Sequence, residues 1–180
     1  CEACFEHILL PNYRNCEQQP IFSHLHMDQY ATFLYFLGNS IWKQKQEKIM
    51  CDNILNLNRI INGFFISYKC EMPNIFVFAH PVGSIIGNAK YSDGLYISQN
   101  VTINTDSGLR IGRGCFLGVG AKIIGGQKIG DRCSIGTDVV IYNQSISEDS
   151  VCLNVDGKLE IRRRKSNRTK CSEIFDLTFM

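Results

Sequence analysis

The stretch that decides the fold is IGRGCFLGVGAKIIGGQKIGDRCSIGTDVVIYNQ, residues 111–144. A branched aliphatic residue recurs in it at every sixth position: Ile111, Leu117, Ile123, Ile129, Ile135 and Ile141. A helix repeats about every 3.6 residues and a flat strand about every two, so neither element explains a period of six. The period instead indicates a repeating unit made of one short strand and one corner.

Two columns of this repeat extend upstream in the same phase. The aliphatic column continues through Ile103, Ile97, Tyr91, Ile85 and Ala79, once two extra residues are placed between Ile103 and Ile111. The fifth position of each hexad is mostly small, with Leu95 and Gln127 as larger exceptions. Its other members are Gly83, Ala89, Val101, Ser107, Cys115, Ala121, Cys133, Val139 and Ser145.

Both columns predict a prism-like solenoid in which three hexads make one coil. The aliphatic position points to the axis and stacks on its equivalent one coil away, and the small position fits where inward space is limited. Glycine after many aliphatic residues supplies the backbone freedom that a tight corner needs. Cys115 and Cys133 are therefore interpreted as small inward residues. The two open ends of such a solenoid need a cover.

The rest of the chain divides around this repeat. Residues 1–73 are predicted to be a mostly α-helical cap, residues 74–153 the solenoid domain, and residues 154–180 a basic tail that is either solvated or neutralises ligand phosphates. Two helical stripes in the cap are interpreted as core. They consist of Tyr30, Phe33, Leu34, Leu37 and Ile41, and of Met50, Ile54, Leu57, Ile61 and Phe64 or Phe65.

Composition excludes several classes of protein. The chain has 180 residues, is 44% hydrophobic and carries a net charge of +2, which fits one globular unit or a core with a small appendage. Near-balanced charge without a recognisable module argues against nucleic-acid binding. No apolar run approaches the ~20 residues of a membrane helix, and the N-terminus lacks the features of a secretory signal, so a cytoplasmic protein is expected.

Nine cysteines are present, and only Cys1 and Cys4 have C-x-x-C spacing. A zinc site usually shows a second close pair, which is missing here. Unpaired thiols are therefore expected, and no metal site is predicted.

His80 is the one histidine within the repeat. It takes the second place of its hexad, at a corner where a side chain leaves the prism. An imidazole there is suited to proton transfer near neutral pH. Its position alone leaves a catalytic role and an exposed structural role equally open.

The repeat resembles the hexapeptide-repeat acyltransferases, and more narrowly the serine acetyltransferases and their relatives that acetylate sugars. That family carries D-H-x-x-G-x-x-I-G, I-x-Q-x-V-T, I-G-x-G-A-K-I-x-G and I-G-x-x-x-V-V segments in this order. The matching segments here are HPVGSIIG at 80–87, ISQNVT at 97–102 and LGVGAKIIG at 117–125. The resemblance covers residues 77–142 and implies a left-handed parallel β-helix.

The resemblance also implies an activity and its residues. His80 falls on the family's catalytic histidine, which takes a proton from an acceptor as it attacks acetyl-CoA. Gly118, Val119, Lys122 and Thr137 match positions that contact the acetyl-CoA donor. The family works as homotrimers, with donor and acceptor meeting between neighbouring prisms.

The chain departs from the serine-specific members at two places. Ala79 stands where they have an aspartate, and the segment INTDSGLRIG replaces a long loop with a second histidine. Asp28, Asp93 and Asp106 are the candidates for an acid that orients His80 or contacts the acceptor. A sugar of a surface polysaccharide or its precursor is expected as acceptor, and serine is the alternative.

Two further hypotheses have other consequences. A catalytically decayed binding or scaffold solenoid would explain the missing aspartate before His80. A zinc enzyme on this fold needs three converging imidazoles, which one histidine in the coils cannot supply.

Overall fold

The computed structural model describes residues 1–104, 108–126 and 128–176. The helices are α1 (Glu2–Phe5), a 3-10 turn (Pro11–Tyr13), α2 (Met27–Lys45), α3 (Lys48–Asn62) and α4 (Lys170–Ile174). The strands are β1 (Phe65–Ile66), β2 (Phe76–Phe78), β3 (Ile85–Ile86), β4 (Lys90–Tyr91), β5 (Leu95–Ile97), β6 (Thr102–Asn104), β7 (Arg110–Ile111), β8 (Phe116–Leu117), β9 (Lys122–Ile124), β10 (Lys128–Ile129), β11 (Ser134–Ile135), β12 (Val140–Tyr142), β13 (Ser150–Val155) and β14 (Lys158–Arg163).

These strands form the three walls of a parallel β-solenoid of about four coils. The first sheet has the order β2-β5-β8-β11-β13-β14, the second β1-β3-β6-β9-β12 and the third β4-β7-β10. Pairing between coils is parallel, and β13 and β14 are the only antiparallel pair among the strands of the described residues. The predicted solenoid with a helical region before it is confirmed.

The aliphatic column fills the axis of the later coils as predicted. Leu117 is in register with Ile135, Ile123 with Ile141, and Ile111 with Ile129. All six residues of the column from 111 to 141 are at most 1% exposed. Of the small column, Cys115, Ala121, Cys133 and Val139 are buried beside them. Ser107 and Gln127 lie outside the described residues.

The predicted register is wrong in the first coil. Phe78, not Ala79, pairs with Ile97, and Ile86, not Ile85, pairs with Ile103. Ile85 is therefore 50% exposed while Ile86 is 1% exposed. The corner between β2 and β3 is longer than the next corner on the same edge, because eight positions separate Phe78 from Ile86 whereas six separate Ile97 from Ile103.

Two residues predicted to be inward members of the small column, Gly83 and Ser145, do not take that position. Ser84 takes the inward place predicted for Gly83, and its hydroxyl is satisfied because it donates to the Ser98 carbonyl and accepts from the Val101 N–H. Ser145 is exposed, since the repeat ends there and Ile146 turns inward to bridge Ile129.

Helices α2 and α3 cover the open end of the first coil. Tyr35 of α2 packs edge-on against Phe76 and Phe78 of β2, and its hydroxyl donates to the Cys70 carbonyl at 2.7 Å. The two predicted helices are confirmed, but their predicted stripes are only partly core. Leu37 and Leu57 are 36% and 41% exposed, because both stripes turn partly away from the solenoid.

The far end is covered by the β13–β14 hairpin. The chain then folds back along the first sheet, where Phe175 bridges Ile8 and Leu9 N–H donates to the Ile174 carbonyl at 2.7 Å. The boundary predicted at 153/154 falls inside β13, and the boundary predicted at 73/74 follows β1, which already belongs to the second sheet. Within the described residues, no helix has both the length and the apolar character needed to span a membrane.

Candidate active site

The candidate site lies on the edge where the first sheet turns into the second. Phe78, Ile97, Leu117 and Ile135 stack in register at the end of the first sheet. The corner residues that follow each of them therefore lie one above the other, about 4.8 Å apart per coil. We call this column of corners the His80 edge; it comprises residues 79–84, 98–101, 118–121 and 136–139.

His80 occupies the enlarged corner of the first coil. Its imidazole points outward, with 79% of the side chain exposed. Its backbone has φ +50°, a left-handed conformation that costs energy for a residue with a side chain. The corner is held by hydrogen bonds from the Ala79 N–H to the Ile97 carbonyl and from the Val82 N–H to the His80 carbonyl. The strained corner projects the imidazole away from the prism.

Asp28 contacts His80 at two points. Its Oδ1 accepts the His80 backbone N–H at 2.9 Å, and its Oδ2 lies 3.5 Å from Nδ1 of the imidazole. Asp28 stands in the first turn of α2 and is 7% exposed. The helix that covers the first coil thus delivers a carboxylate to the imidazole, and Nε2 has no hydrogen-bond partner among the described residues.

Burial raises the pKa of the Asp28 carboxyl above its usual 3.8, while the His80 N–H and the nearby imidazoles of His80 and His26 lower it. A buried carboxylate with few partners is a strong hydrogen-bond acceptor, because removal from water weakens competition for its lone pairs. Asp28 can therefore fix the imidazole orientation and stabilise its protonated form.

The other two acidic candidates are not brought to His80. Asp93 stands before β5, at the opposite end of the first sheet from the His80 edge, and its Oδ1 accepts the Ile75 N–H at 2.9 Å. Its carboxylate closes a turn between coils. Asp106 lies outside the described residues.

Three of the four candidate donor contacts lie on the His80 edge, and Lys122 lies directly beside it. Gly118 and Val119 follow β8 two coils beyond His80, Lys122 opens the next strand, and Thr137 follows β11 one coil further. The side chains of Val119 and Lys122 are half-buried and that of Thr137 is exposed. Lys122 Nζ donates to the Gly120 carbonyl at 3.1 Å, which holds the ammonium against the edge.

Gly118 also has a packing reason to be glycine. A Cβ there would lie 2.9 Å from the Ile135 carbonyl oxygen and 3.0 Å from the Gly136 carbonyl carbon. The close approach of the next coil therefore requires glycine at this corner.

Two residues near Asp28 were missed by sequence reasoning. The Tyr13 hydroxyl and His26 Nδ1 are buried with no hydrogen-bond partner in the described part of the chain, and their rings lie 5.7 Å apart. The spacing His26-x-Asp28 at the start of a helix was the available signal, because it places both side chains at the same helix end.

Exposed apolar side chains border the His80 edge. Val82 is 60% exposed, and on the outer face of the second sheet Val140 and Tyr142 are 47% and 68% exposed. No group of three histidine, cysteine, aspartate or glutamate side chains that could hold a metal ion occurs among residues 1–104, 108–126 and 128–176.

No protein-family model matches the chain, and no curated protein matches it significantly. Solved structures do match. Serine acetyltransferase from Vibrio cholerae superposes with a TM-score of 0.72 at 20% identity, covering 94% of this chain and 67% of that one. The enzymes from Brucella abortus and Neisseria gonorrhoeae give TM-scores of 0.67 and 0.66 at 23% and 19% identity.

The chain has the serine acetyltransferase fold. The match includes the helical region before the solenoid, since it extends over 78% of this chain for the two latter enzymes. The chain spans only 58% of the length of the Brucella abortus enzyme and 57% of that of the Neisseria gonorrhoeae enzyme. The predicted left-handed parallel β-helix is confirmed by these neighbours, and the His80 edge therefore lies on a known architecture.

Proposed function

We propose that this protein is an acetyl-CoA-dependent O-acetyltransferase in which His80 is the general base. The observation that carries the proposal is the Asp28–His80 contact at the head of the His80 edge. An outward imidazole, a buried carboxylate behind it and a strip of backbone along the same edge form the arrangement that direct acyl transfer requires.

In the proposed reaction, Nε2 of His80 takes the proton of an acceptor hydroxyl while its oxygen attacks the thioester carbonyl carbon of acetyl-CoA. The carbon–sulfur bond then breaks, and the thiolate of coenzyme A takes the proton back from the imidazolium. Asp28 keeps Nδ1 protonated and offsets the positive charge that forms on the ring. Backbone N–H groups stabilise the oxyanion.

The donor is proposed to lie along the His80 edge. Gly118, Val119, Lys122 and Thr137 would contact the pantetheine arm as it runs across the coils toward His80. One of the similar solved structures is a serine acetyltransferase in complex with coenzyme A, at 21% identity and a TM-score of 0.64.

The acceptor is proposed to be a sugar hydroxyl or amine of a surface polysaccharide or its precursor. Ala79 is 5% exposed and offers no carboxylate beside His80, where serine-specific enzymes carry an aspartate. Serine is the second candidate. The similar solved structures are serine acetyltransferases, and two of them are in complex with cysteine.

The protein is also proposed to be a homotrimer in the cytoplasm. Val82, Val140 and Tyr142 form an apolar border beside the His80 edge, and a neighbouring prism would cover it and complete the site. The nine cysteines, all free thiols, fit a reducing compartment.

An acceptor screen tests the proposal. The purified protein is incubated with acetyl-CoA and serine, homoserine or nucleotide sugars, and the release of coenzyme A is followed together with the mass of the acceptor. We expect an acetylated sugar as product. An acetylated serine would leave the acyltransfer proposal standing and overturn the sugar assignment. Failure to bind acetyl-CoA at millimolar concentration would contradict the whole proposal and favour a scaffold.

A further inference from the structure

The third sheet carries a row of cations on its outer face. Its strands are two residues long, so each has one outward position, and these positions are Lys90, Arg110 and Lys128. The register places Arg110 directly beside both lysines, about 4.8 Å away in each direction. All three side chains are exposed. We call these three residues the basic row.

The basic row is segregated to one wall of the prism. The matching column of the first sheet holds the uncharged Val77, Tyr96, Phe116, Ser134 and Val151 on its parallel strands, and its one cation is Arg162 on the terminal strand β14. The second sheet has one cation, Lys122, in a column with Phe65, Ile85, Thr102 and Val140. Three cations in register on the remaining wall are a distinct feature of its surface.

This arrangement is unfavourable for the isolated protein. Like charges directly opposite each other on neighbouring strands destabilise a sheet. No ion pair to Lys90, Arg110 or Lys128 occurs in the part of the chain that the structure describes. Stability therefore gives no reason for the row, whereas an anionic ligand would remove the repulsion.

The geometry points to a linear anionic ligand. The row is straight and runs along the prism axis, so it does not converge on one point as donors around a single phosphate do. In a triangular prism this wall lies opposite the His80 edge, which separates it from the proposed donor strip. We propose that the basic row binds an acidic polysaccharide chain lying along the third sheet.

Two other polyanions fit the wall less well. Single-stranded nucleic acid binds where aromatic side chains alternate with cations, and the outward positions of the described strands on this wall carry no aromatic residue. An anionic membrane surface is bound by cations together with inserted apolar side chains, which these positions also lack. A glycan with one acidic group per sugar needs only the row of cations.

The test measures binding in the absence of acetyl-CoA, so it does not depend on the proposed acetyl transfer. Polygalacturonate is the probe, neutral dextran the uncharged control, and the protein is compared with Lys90→Gln/Arg110→Gln/Lys128→Gln. The matched control is Lys43→Gln/Lys45→Gln/Lys158→Gln, which removes three cations elsewhere on the surface. Calorimetric titrations are run at low and at physiological salt.

We expect the parent and the matched control to bind polygalacturonate, with weaker binding at higher salt. The row variant should bind at least about tenfold more weakly. Its melting temperature at low salt should be equal to or higher than that of the parent, because the repulsion is gone. Equal affinity of parent and row variant would overturn the proposal. Binding only to an oligonucleotide or to phosphatidylserine vesicles would overturn it in favour of those partners.

Discussion

The later coils and the first coil of the solenoid share the hexad repeat but differ in the geometry of their corners. From Ile111 onward, each aliphatic residue points to the axis, and the corners are short and alike. In the first coil, the corner between β2 and β3 is longer, and Ile85 turns outward while Ile86 points to the axis. The regular coils build the edge, and the irregular coil places the proposed catalytic imidazole on it.

The two regions also differ in what supports them. The later coils are stabilised by their own stacking, whereas the first coil depends on α2 and α3. Asp28 lies on one of these helices, because α2 both covers the first coil and supplies the carboxylate that contacts His80. The site is therefore assembled where two structural units meet.

The largest expected effect is on turnover when the imidazole is removed. His80→Ala should lower kcat/KM by about 10²–10⁴, the usual contribution of a general base. Acetyl-CoA affinity should stay near that of the parent, because the proposed donor contacts lie on later coils. Coenzyme A release and equilibrium binding measure the two effects. His24→Ala, another exposed histidine, is the control; normal turnover in His80→Ala would refute the assigned base.

The next effect is on stability and tests the register of the first coil. Ile86→Ala should lower the free energy of unfolding by about 2–5 kcal/mol, because Ile86 is buried in the axis. Ile85→Ala should cost less than about 1 kcal/mol, since this side chain is half exposed. Denaturant unfolding of both variants gives the comparison. A larger loss of unfolding free energy in Ile85→Ala than in Ile86→Ala would contradict the observed register and support the strict six-residue one.

Asp28→Asn should lower kcat by about tenfold to a hundredfold, in line with the loss of other orienting carboxylates. The asparagine can still accept the hydrogen bond from the His80 N–H.

Burial raises the pKa of Asp28, so the folded protein binds the proton of this carboxyl group more tightly than the unfolded chain does. Its contribution to stability is therefore present at low pH and lost as pH rises through the raised pKa.

Activity and stability should then respond to acid with opposite signs. As pH falls toward the raised pKa of Asp28, turnover should decline while this group adds stability. Asp28→Asn should abolish that stability gain and be more stable than the parent at neutral pH. Turnover profiles and unfolding measured from about pH 4 to about pH 8 check both, since these limits span the usual carboxylate and neutral ranges. A neutral-pH loss of stability in Asp28→Asn would contradict this reasoning.

The smallest effect concerns thiol reactivity. Cys1 and Cys16 are exposed and the other seven cysteines are buried. Burial raises the pKa of Cys4 to about 11 and that of Cys70, Cys152 and Cys171 to about 12, so few thiolates form at neutral pH. A thiol reagent should modify two cysteines quickly and the others only after denaturation. Fast reaction of a third would show that a buried part of the structure opens.

Much of the fold could be predicted from the sequence because the hexads repeat one physical constraint. An aliphatic residue such as Leu117 or Ile135 has a single inward direction, and its equivalents in other coils confirm the phase. The first coil offers no such redundancy. In the sequence SII, Ile85 and Ile86 fit the column equally well, and only the packing of α2 and β2 decides between them.

The site could be predicted only in part for a similar reason. His80 stands out because it is the one histidine in the repeat, and a corner position already implies an outward side chain. The partner of His80 comes from 52 positions away in the sequence, so Asp28 could not be preferred over Asp93 by spacing. Long-range contacts of this kind depend on how α2 crosses the coil, which no local pattern encodes.

The most direct test of the central claim is turnover of the double variant His80→Ala/Asp28→Asn compared with both single variants, at saturating acetyl-CoA. If the carboxylate acts only through the imidazole, the double variant should be as slow as His80→Ala alone, because residues that act as one unit are not additive. If instead the two losses multiply, Asp28 and His80 work separately, and the proposed carboxylate–imidazole pair is contradicted.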